Sequence, residues 1–408
     1  MQVFVTAPIG AAELLAEECR VHGFRLDGLY PGGVKIEINA AQAARALVHL
    51  RLADTLLLQV GAVPAPHANR LYHEIRDMRW ERWIDVRSTI SVTCTGILPD
   101  SAEGLLLLDP QLRRPPRVGA ELRSHGFAAR KIADALVDRI QLHLGARPEI
   151  VEKDGDIQIV AMFDGDSCAL HLDLAGTPLF RRGLKLKGAS LRGTWAAATV
   201  AASGWRGRRP LVTCLDPGGG LLIEALWRAL RIAPNARRQF AVETWPNDGE
   251  RLHGLVEEER ARAQAHEAQV VAAGADFEIL AAVHDRRSTR LLTENLDAAG
   301  LAHLVKVERL NARRLPAPAP GAVLLSCPPG QGRLGVEDAA TLTSALGKQW
   351  RTFTDCDAWI LTDDPDFKGY FGQRPHGIRP LSDGEREASL LHYQLGGATG
   401  AAKGERAS

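Results

Sequence analysis

Apolar and polar positions alternate along this chain in two different periods, and the switches between them mark out the elements. Val3-Phe4-Val5 reads as a strand and Ala11 to His22 as a helix. Gly33 to Ile38 alternates with period two, and Ala40 to Arg51 returns to a helical period. This order predicts a small α+β unit. A second one begins near Asn69, with a helix over Leu71 to Ile84, a strand over Ser88 to Thr95 and a well-patterned helix over Arg130 to Leu144. Ile157 to Phe163 and Cys168 to Leu174 are two strands joined by Asp164-Gly165-Asp166, a hairpin turn signal. Asp100 to Arg117 carries Pro and Arg without periodicity and is expected to be a long loop.

From Leu211 the pattern becomes strand and helix in turn. Strands are predicted over Val212 to Leu215, Glu278 to Val283, Val305 to Leu310, Ala322 to Ser326, Ala358 to Thr362 and Leu390 to Leu395. Helices are predicted over Leu221 to Arg231, Arg287 to Ala299 and Val336 to Trp350, with a polar, helix-rich excursion from Asn247 to Gln269. That spacing specifies a doubly wound, mostly parallel sheet of the Rossmann-like kind, whose ligand crevice lies at the strand carboxyl ends. Those ends are Asp216, His284-Asp285, Asn311 and Cys327-Pro328-Pro329. After the first of them come Gly218, Gly219 and Gly220, which tolerate positive φ and let a ligand approach the backbone at a helix amino end. A tight strand-to-helix turn without a ligand would use the same residues.

Composition narrows the function classes. The net charge is +1, with 50 Lys and Arg against 49 Asp and Glu, so a nucleic-acid surface has to be a local patch. One such patch is evident. Between Asp173 and Asp216 there is no acid, while Arg181, Arg182, Lys185, Lys187, Arg192, Arg206, Arg208 and Arg209 fall in the interval. An uncompensated basic segment is suited to phosphates, although runs of charge are also found as plain solvated linkers. The six cysteines are scattered with no C-x-x-C pair, which suggests reduced thiols and no metal site. With no apolar run long enough for a bilayer and no signal-like start, the expectation is a soluble cytoplasmic protein without a membrane partner.

The stretch Cys327-Pro328-Pro329-Gly330-Gln331-Gly332-Arg333-Leu334-Gly335 follows the fourth strand of the second half. Two prolines there stop the ladder and hold the carbonyls rigidly as acceptors for a planar amine. At this point the sequence resembles the bacterial THUMP-containing RNA guanine-N2 methyltransferases that act on large-subunit ribosomal RNA. Their signature here is Asn-Pro-Pro-Tyr-Gly-x-Arg-Leu-Gly. Arg130 to Asp138 resembles the family's Lys-Asp-Ala-Ile-Val-Asp helix, Leu172 to Gly183 its Leu-Asp-Leu-Ser-Gly-x-x-Leu-x-Arg-Arg-Gly, and Ala189 to Arg192 its Ala-Pro-Leu-Lys. The matches run in order over nearly the whole chain.

The resemblance implies a domain order: a ferredoxin-like α+β unit over 1–65, a THUMP RNA-binding domain over 66–176, a basic linker and helix over 177–209, a Rossmann-like methyltransferase-type domain over 210–396 and a disordered tail over 397–408. It implies S-adenosylmethionine as cofactor, held by Asp216, Gly218, Gly219, Gly220, Glu224, Asp285 and Asn311. It places the target amine at Cys327, Pro328 and Pro329, and RNA, ribosomal by resemblance, at Lys131, Arg181, Arg182, Lys185, Lys187 and Arg192. The chain departs from the family pattern at these same places. The glycine turn is three residues shorter, Val283 stands where the family has the acid that accepts from the ribose, and Asn311 replaces an Asp. Cys327 replaces the Asn that takes the amine protons, and Gly330 replaces the Tyr that stacks on the base. A thiol is a weak acceptor and glycine has no ring. A nucleophilic role for Cys327 lacks any assignable His–Asp arrangement. Two main readings follow, an RNA methyltransferase and a catalytically inactive scaffold of that fold that binds RNA only. A structural protein without an RNA role is a third.

Overall fold

The computed structural model describes residues 1–96, 122, 124–188, 191–216 and 218–396. The loop expected over Asp100 to Arg117 and the tail from residue 397 lie outside the described residues. Two compact units emerge. Met1–Ala7, Leu15–Leu179 and Asn235–Arg262 form one, and Pro8–Leu14, Phe180–Pro234 and the chain from Ala263 form the other.

The first unit carries an eight-stranded sheet. Its elements in chain order are β1 (Gln2–Thr6), α1 (Ala12–Val21), β2 (Arg25–Tyr30), β3 (Gly33–Glu37), α2 (Ala40–His49), β4 (Thr55–Pro64), α3 (Ala68–Asp77), β5 (Thr89–Thr95), α4 (His125–Leu144), β6 (Glu149–Ile150), β7 (Ile157–Asp164) and β8 (Ser167–Asp173). The strand order is β2-β3-β1-β4-β8-β7-β5-β6. Antiparallel pairing of β4 with β8, from Leu57 opposite Asp173 to Pro64 opposite Ser167, joins the stretches 1–65 and 66–176 in one sheet. Neither β2 nor β4 follows from the apolar pattern. The first is an edge strand with a bulge beside Gly28, and the second has consecutive apolar residues, Leu56-Leu57-Leu58, in place of alternation.

The helix expected over Leu71 to Ile84 ends early. Met78 turns extended at ψ 153°, and a 3-10 turn over Trp80–Arg82 follows. Trp80 is fully buried and its indole N–H donates to the Ile75 carbonyl at 2.8 Å, taking over an acceptor at the end of α3. Residues 235–262, which the sequence reading assigns to the second domain, pack in the first unit. Asn235, with no exposed surface, donates to the Leu47 and Leu50 carbonyls at 2.9 and 3.0 Å and so caps the end of α2. Arg238 donates to the Thr177 and Pro178 carbonyls, and His49 meets Glu259 at 2.8 Å.

The second unit is built on α5 (Gly193–Ser203), β9 (Leu211–Cys214), α6 (Gly220–Ala229), the later part of α7 (Asp248–Ala273), β10 (Ile279–Val283), α8 (Arg286–Ala298), β11 (Lys306–Arg309), β12 (Val323–Ser326), α9 (Gln331–Leu334), α10 (Val336–Trp350), β13 (Cys356–Thr362), α11 (Phe367–Phe371), β14 (Gly377–Ser382) and β15 (Glu387–Leu395). Its sheet runs β11-β10-β9-β12-β13-β15-β14. The first five strands are parallel, and β15 and β14 are antiparallel additions. Successive strand residues feed opposite faces. Val323 and Leu325 pack with Leu222, Leu226 and Leu296, whereas Leu324 packs with Trp350, Phe353 and Ile360. β14 escapes the sequence pattern because it is an edge strand holding Pro380 and Arg379.

Candidate functional site

The direction of winding reverses beside β9, since its chain continues to β10 on one side while β12 lies on the other. Such a reversal opens the crevice of a doubly wound sheet at its carboxyl edge. Ser326 lies opposite Cys214 in the β9–β12 register. Asp216 and Cys327 therefore leave the sheet from neighbouring strand ends.

Asp216 turns its carboxylate back onto the helix that follows it. Its two oxygens accept from the Leu221 and Leu222 amides at 3.2 and 3.0 Å. Burial pushes the carboxyl up to about 6, and these amides work against that rise. The turn itself needs glycine. Gly218 and Gly219 sit at φ 83° and 78°, and a Cβ on Gly219 would fall 2.4 Å from a methyl of Leu292. Leu292 thus packs directly on the turn. Asn295, 1% exposed, donates to the Gly218 carbonyl at 2.8 Å and grips the Lys187 backbone, accepting from its N–H at 2.8 Å and donating to its carbonyl at 2.9 Å. The sequence reading missed Asn295. Its signal was a polar residue inside the apolar stripe Leu292, Leu296, Ala299 of a helix.

The other strand ends behave like Asp216. Asp285 caps α8, accepting from the Ser288 amide at 2.8 Å, and amide hydrogen bonds hold its carboxyl below the usual range. Asn311 accepts from the Arg313 amide at 2.9 Å and closes its own short turn. Val283 is buried and its carbonyl takes the Leu310 amide. Glu224 does not face a ligand. It is 3% exposed and paired at 2.8 Å with Arg182, itself 6% exposed. Arg182 is therefore a buried partner within the unit and not the surface cation that the basic run suggested, because Glu224, remote in sequence, meets it there.

The remaining expected RNA contacts fall in both units. Arg192 pairs with Asp383 at 2.9 Å and lies 3.9 Å over the Phe180 ring. Lys187 meets Glu294 at 3.0 Å. Arg181 and Lys185 are exposed, and Lys131 belongs to the first unit, near Tyr72. At the target end, Pro328 and Gly330 are buried, with Cys327 and Pro329 half-buried. A Cβ on Gly330 would lie 2.3 Å from an Asp363 carboxylate oxygen and 3.5 Å from the Asp364 Cβ. Asp364 is 6% exposed, and its Oδ1 accepts from the Gln331 side chain at 2.9 Å. Its Oδ2 is buried with no hydrogen-bond partner among the described residues. Asp364 was also missed, although it follows β13 as Asp216 follows β9. Among the described residues no cluster of His, Cys, Asp and Glu could hold a metal ion, and no helix is long and apolar enough to cross a membrane.

Comparison with known proteins gives this geometry a family. Residues 181–385 match the model of the RMKL-like methyltransferase domain, and residues 2–57 that of the RlmL ferredoxin-like domain. A ribosomal RNA large subunit methyltransferase K/L of Syntrophotalea carbinolica is 29% identical over 97% of this chain and 54% of its own length. One from Methylococcus capsulatus is 30% identical over 96% of the chain and 51% of its own. The chain thus spans about half the length of these curated relatives. In fold it is similar to a protein of Clostridium difficile 630 assigned as a methylase, with a TM-score of 0.79 and 21% identity over 97% of this chain and 98% of that one. SMU.472, assigned as a methyltransferase and solved with SAH, gives 0.77 and 23% over 97% and 98%. With its model matched over half the chain and strand order, glycine turn and Pro-Pro turn all at one sheet edge, the chain belongs to the RMKL-like methyltransferase family.

Proposed function

We propose that the chain is an S-adenosylmethionine-dependent RNA methyltransferase that acts on a guanine N2 amine of ribosomal RNA, its THUMP-type region binding the RNA. The observation that carries this reading is the pairing of β9 with β12, which sets Asp216 and the Cys327-Pro328-Pro329 turn side by side at the switch point. The curated relatives' names support the reaction, and the SAH in SMU.472 supports the cofactor. The fit to that cofactor rests on Asp216, a desolvated carboxylate that gains from an ammonium group brought beside it. When bound, the cofactor supplies an electrophilic methyl group. The chain's own part is to position the amine. The Pro328 carbonyl, its ψ restricted by the proline that follows, and the Pro329 carbonyl are acceptors, and the buried Asp364 Oδ2 beside Gly330 is a stronger acceptor than the Cys327 thiol.

A second reading, an RNA-binding scaffold without catalysis, is favoured by the way the expected cofactor positions are already used. Leu292 covers Gly219 and Val283 offers no acceptor at the ribose position, while Asp285 and Asn311 already close their own turns. Isothermal titration with S-adenosylmethionine, beside an Asp216→Ala control, separates the two. Heat that disappears in the control supports the methyltransferase. No heat up to millimolar ligand leaves the scaffold.

A further inference from the structure

The first unit contains a cavity of about 550 Å³ that none of the motifs above accounts for. It lies beside β4, the Trp80–Arg82 turn and the first turns of α7, and its floor includes Leu58, Val242 and Trp245. Trp83, half-buried, forms a wall. Its ring is held edge-on by the buried Trp80 at 6.1 Å, and the Arg82 guanidinium lies 5.1 Å from its centroid. Arg251, exposed on α7, reaches the same cavity and makes no ion pair among the described residues.

The charged side chains that line this cavity are Arg82 and Arg251. Among lining residues whose side chains are described there is no Asp or Glu. Glu81, next to Arg82, is held by a two-pronged contact with Arg139 at 2.7 and 3.1 Å, and Glu37 pairs with Arg25 at 2.9 Å. A volume in the usual range for small-ligand sites, a fixed aromatic wall and an exposed Arg251 that makes no ion pair among the described residues match a flat ring carrying an anion. The site also has a continuation. A shallower cavity of about 530 Å³ shares Arg251 and Ala40 and is lined by Asn39, Gln42 and the Glu37 that Arg25 pairs with. The Asn39 and Gln42 side chains use their oxygens in the capping box of α2, which leaves their NH₂ groups as donors.

We propose that this cavity binds one nucleotide of a single-stranded RNA, with the base against Trp83 and Arg82 and the phosphate at Arg251. Every base has a face to stack, so the site is tolerant of sequence and serves to anchor the strand. The inference rests on the proposed RNA function only for the polymer, since a mononucleotide tests the site by itself.

The experiment titrates the full chain with adenosine 5′-monophosphate, adenosine and inorganic phosphate by NMR. A fluorescent single-stranded RNA is followed by anisotropy. The mononucleotide is expected to bind at least about tenfold more tightly than either of its parts. Trp83→Leu and Arg251→Glu are each expected to weaken both ligands about tenfold. Arg251 is exposed, so its variant keeps the test valid if the Trp83 variant misfolds. Phosphate binding as tightly as the mononucleotide would mean a generic anion site and overturn the proposal, as would unchanged mononucleotide affinity in the folded Arg251 variant. RNA binding that persists in both variants without mononucleotide binding sinks this site and spares the proposed function. Mononucleotide binding with no S-adenosylmethionine or RNA methylation does the reverse.

Discussion

The carboxyl edge of the seven-stranded sheet and the cavity beside β4 use their polar side chains in opposite ways. At the sheet edge Asp216, Asp285 and Asn311 each close the turn they belong to, Arg182 and Glu224 neutralise each other, and Arg192 is held by Asp383. Around the cavity Glu81 and Glu37 are paired with Arg139 and Arg25, while Arg251 makes no ion pair among the described residues. The difference teaches that a polar residue at a conventional ligand position serves the fold first whenever an amide or an opposite charge lies within reach. A polar side chain in an unremarkable stretch can remain available.

The largest effect should come from the buried ion pair. Arg182→Ala or Glu224→Ala leaves an uncompensated charge among groups 6% and 3% exposed, and is expected to cost about 3–5 kcal/mol in urea unfolding. Replacing both with apolar residues of similar size should recover most of that loss. RNA affinity per folded molecule should stay within twofold; a drop accompanied by a weaker salt dependence would return Arg182 to the binding surface and blur the contrast.

Asp216 gives a pH-dependent version of the same test. Its carboxyl is raised from the ordinary 3.8 to about 6, so its contribution to stability is complete below about pH 4 and is lost as pH climbs through 6. Asp216→Asn keeps an acceptor for the helix amides and removes the ionisation. The variant's stability relative to the parent should therefore rise between pH 4 and 6 and then level, with about 3 kcal/mol as the upper bound. A flat difference across that range would show that the charge is already compensated. In the parent, stabilisation by S-adenosylmethionine should grow over the same interval if its ammonium meets this carboxylate.

Asn295→Ala removes a donor and acceptor that serve Lys187 and Gly218 at once, and should cost about 2 kcal/mol. It also sharpens the choice between readings of the edge. If the glycine turn is a cofactor cradle, loosening it weakens S-adenosylmethionine binding as well as stability; if it is only a turn, calorimetry shows a loss of stability alone.

Much of the fold was legible because long amphipathic periods and apolar runs leave little choice, as in His125–Leu144 and the parallel strands from Leu211 to Thr362. What was not legible has local causes. Edge strands such as Gly377–Ser382 bury little and tolerate Pro380, and α3 ends where the distant-looking Trp80 indole reaches back to Ile75. At the site, strand ends located Asp216 and Cys327, yet the apparent lack of acids between Asp173 and Asp216 misled. The partners of Arg182, Lys187, Arg192 and Arg209 are Glu224, Glu294, Asp383 and Asp357, brought in from 42 to 191 residues away. Charge balance in a folded chain is set in space, and a window along the sequence cannot see it.

The smallest effect on stability should be at Arg251, and that is what makes it informative. An exposed side chain without an ion pair contributes little to folding, so Arg251→Glu is expected to leave the urea midpoint nearly unchanged, within about 0.5 kcal/mol. Its effect belongs to the electrolyte dependence of RNA binding. Removing one phosphate contact lowers the slope of log affinity against log salt by roughly one, and reversing the charge lowers it further. A parallel measurement on Arg182→Ala should leave that slope alone while stability collapses. The two variants then dissociate folding from binding in opposite directions, which is possible only if the cation at the sheet edge is committed to the core and the cation at the cavity is not.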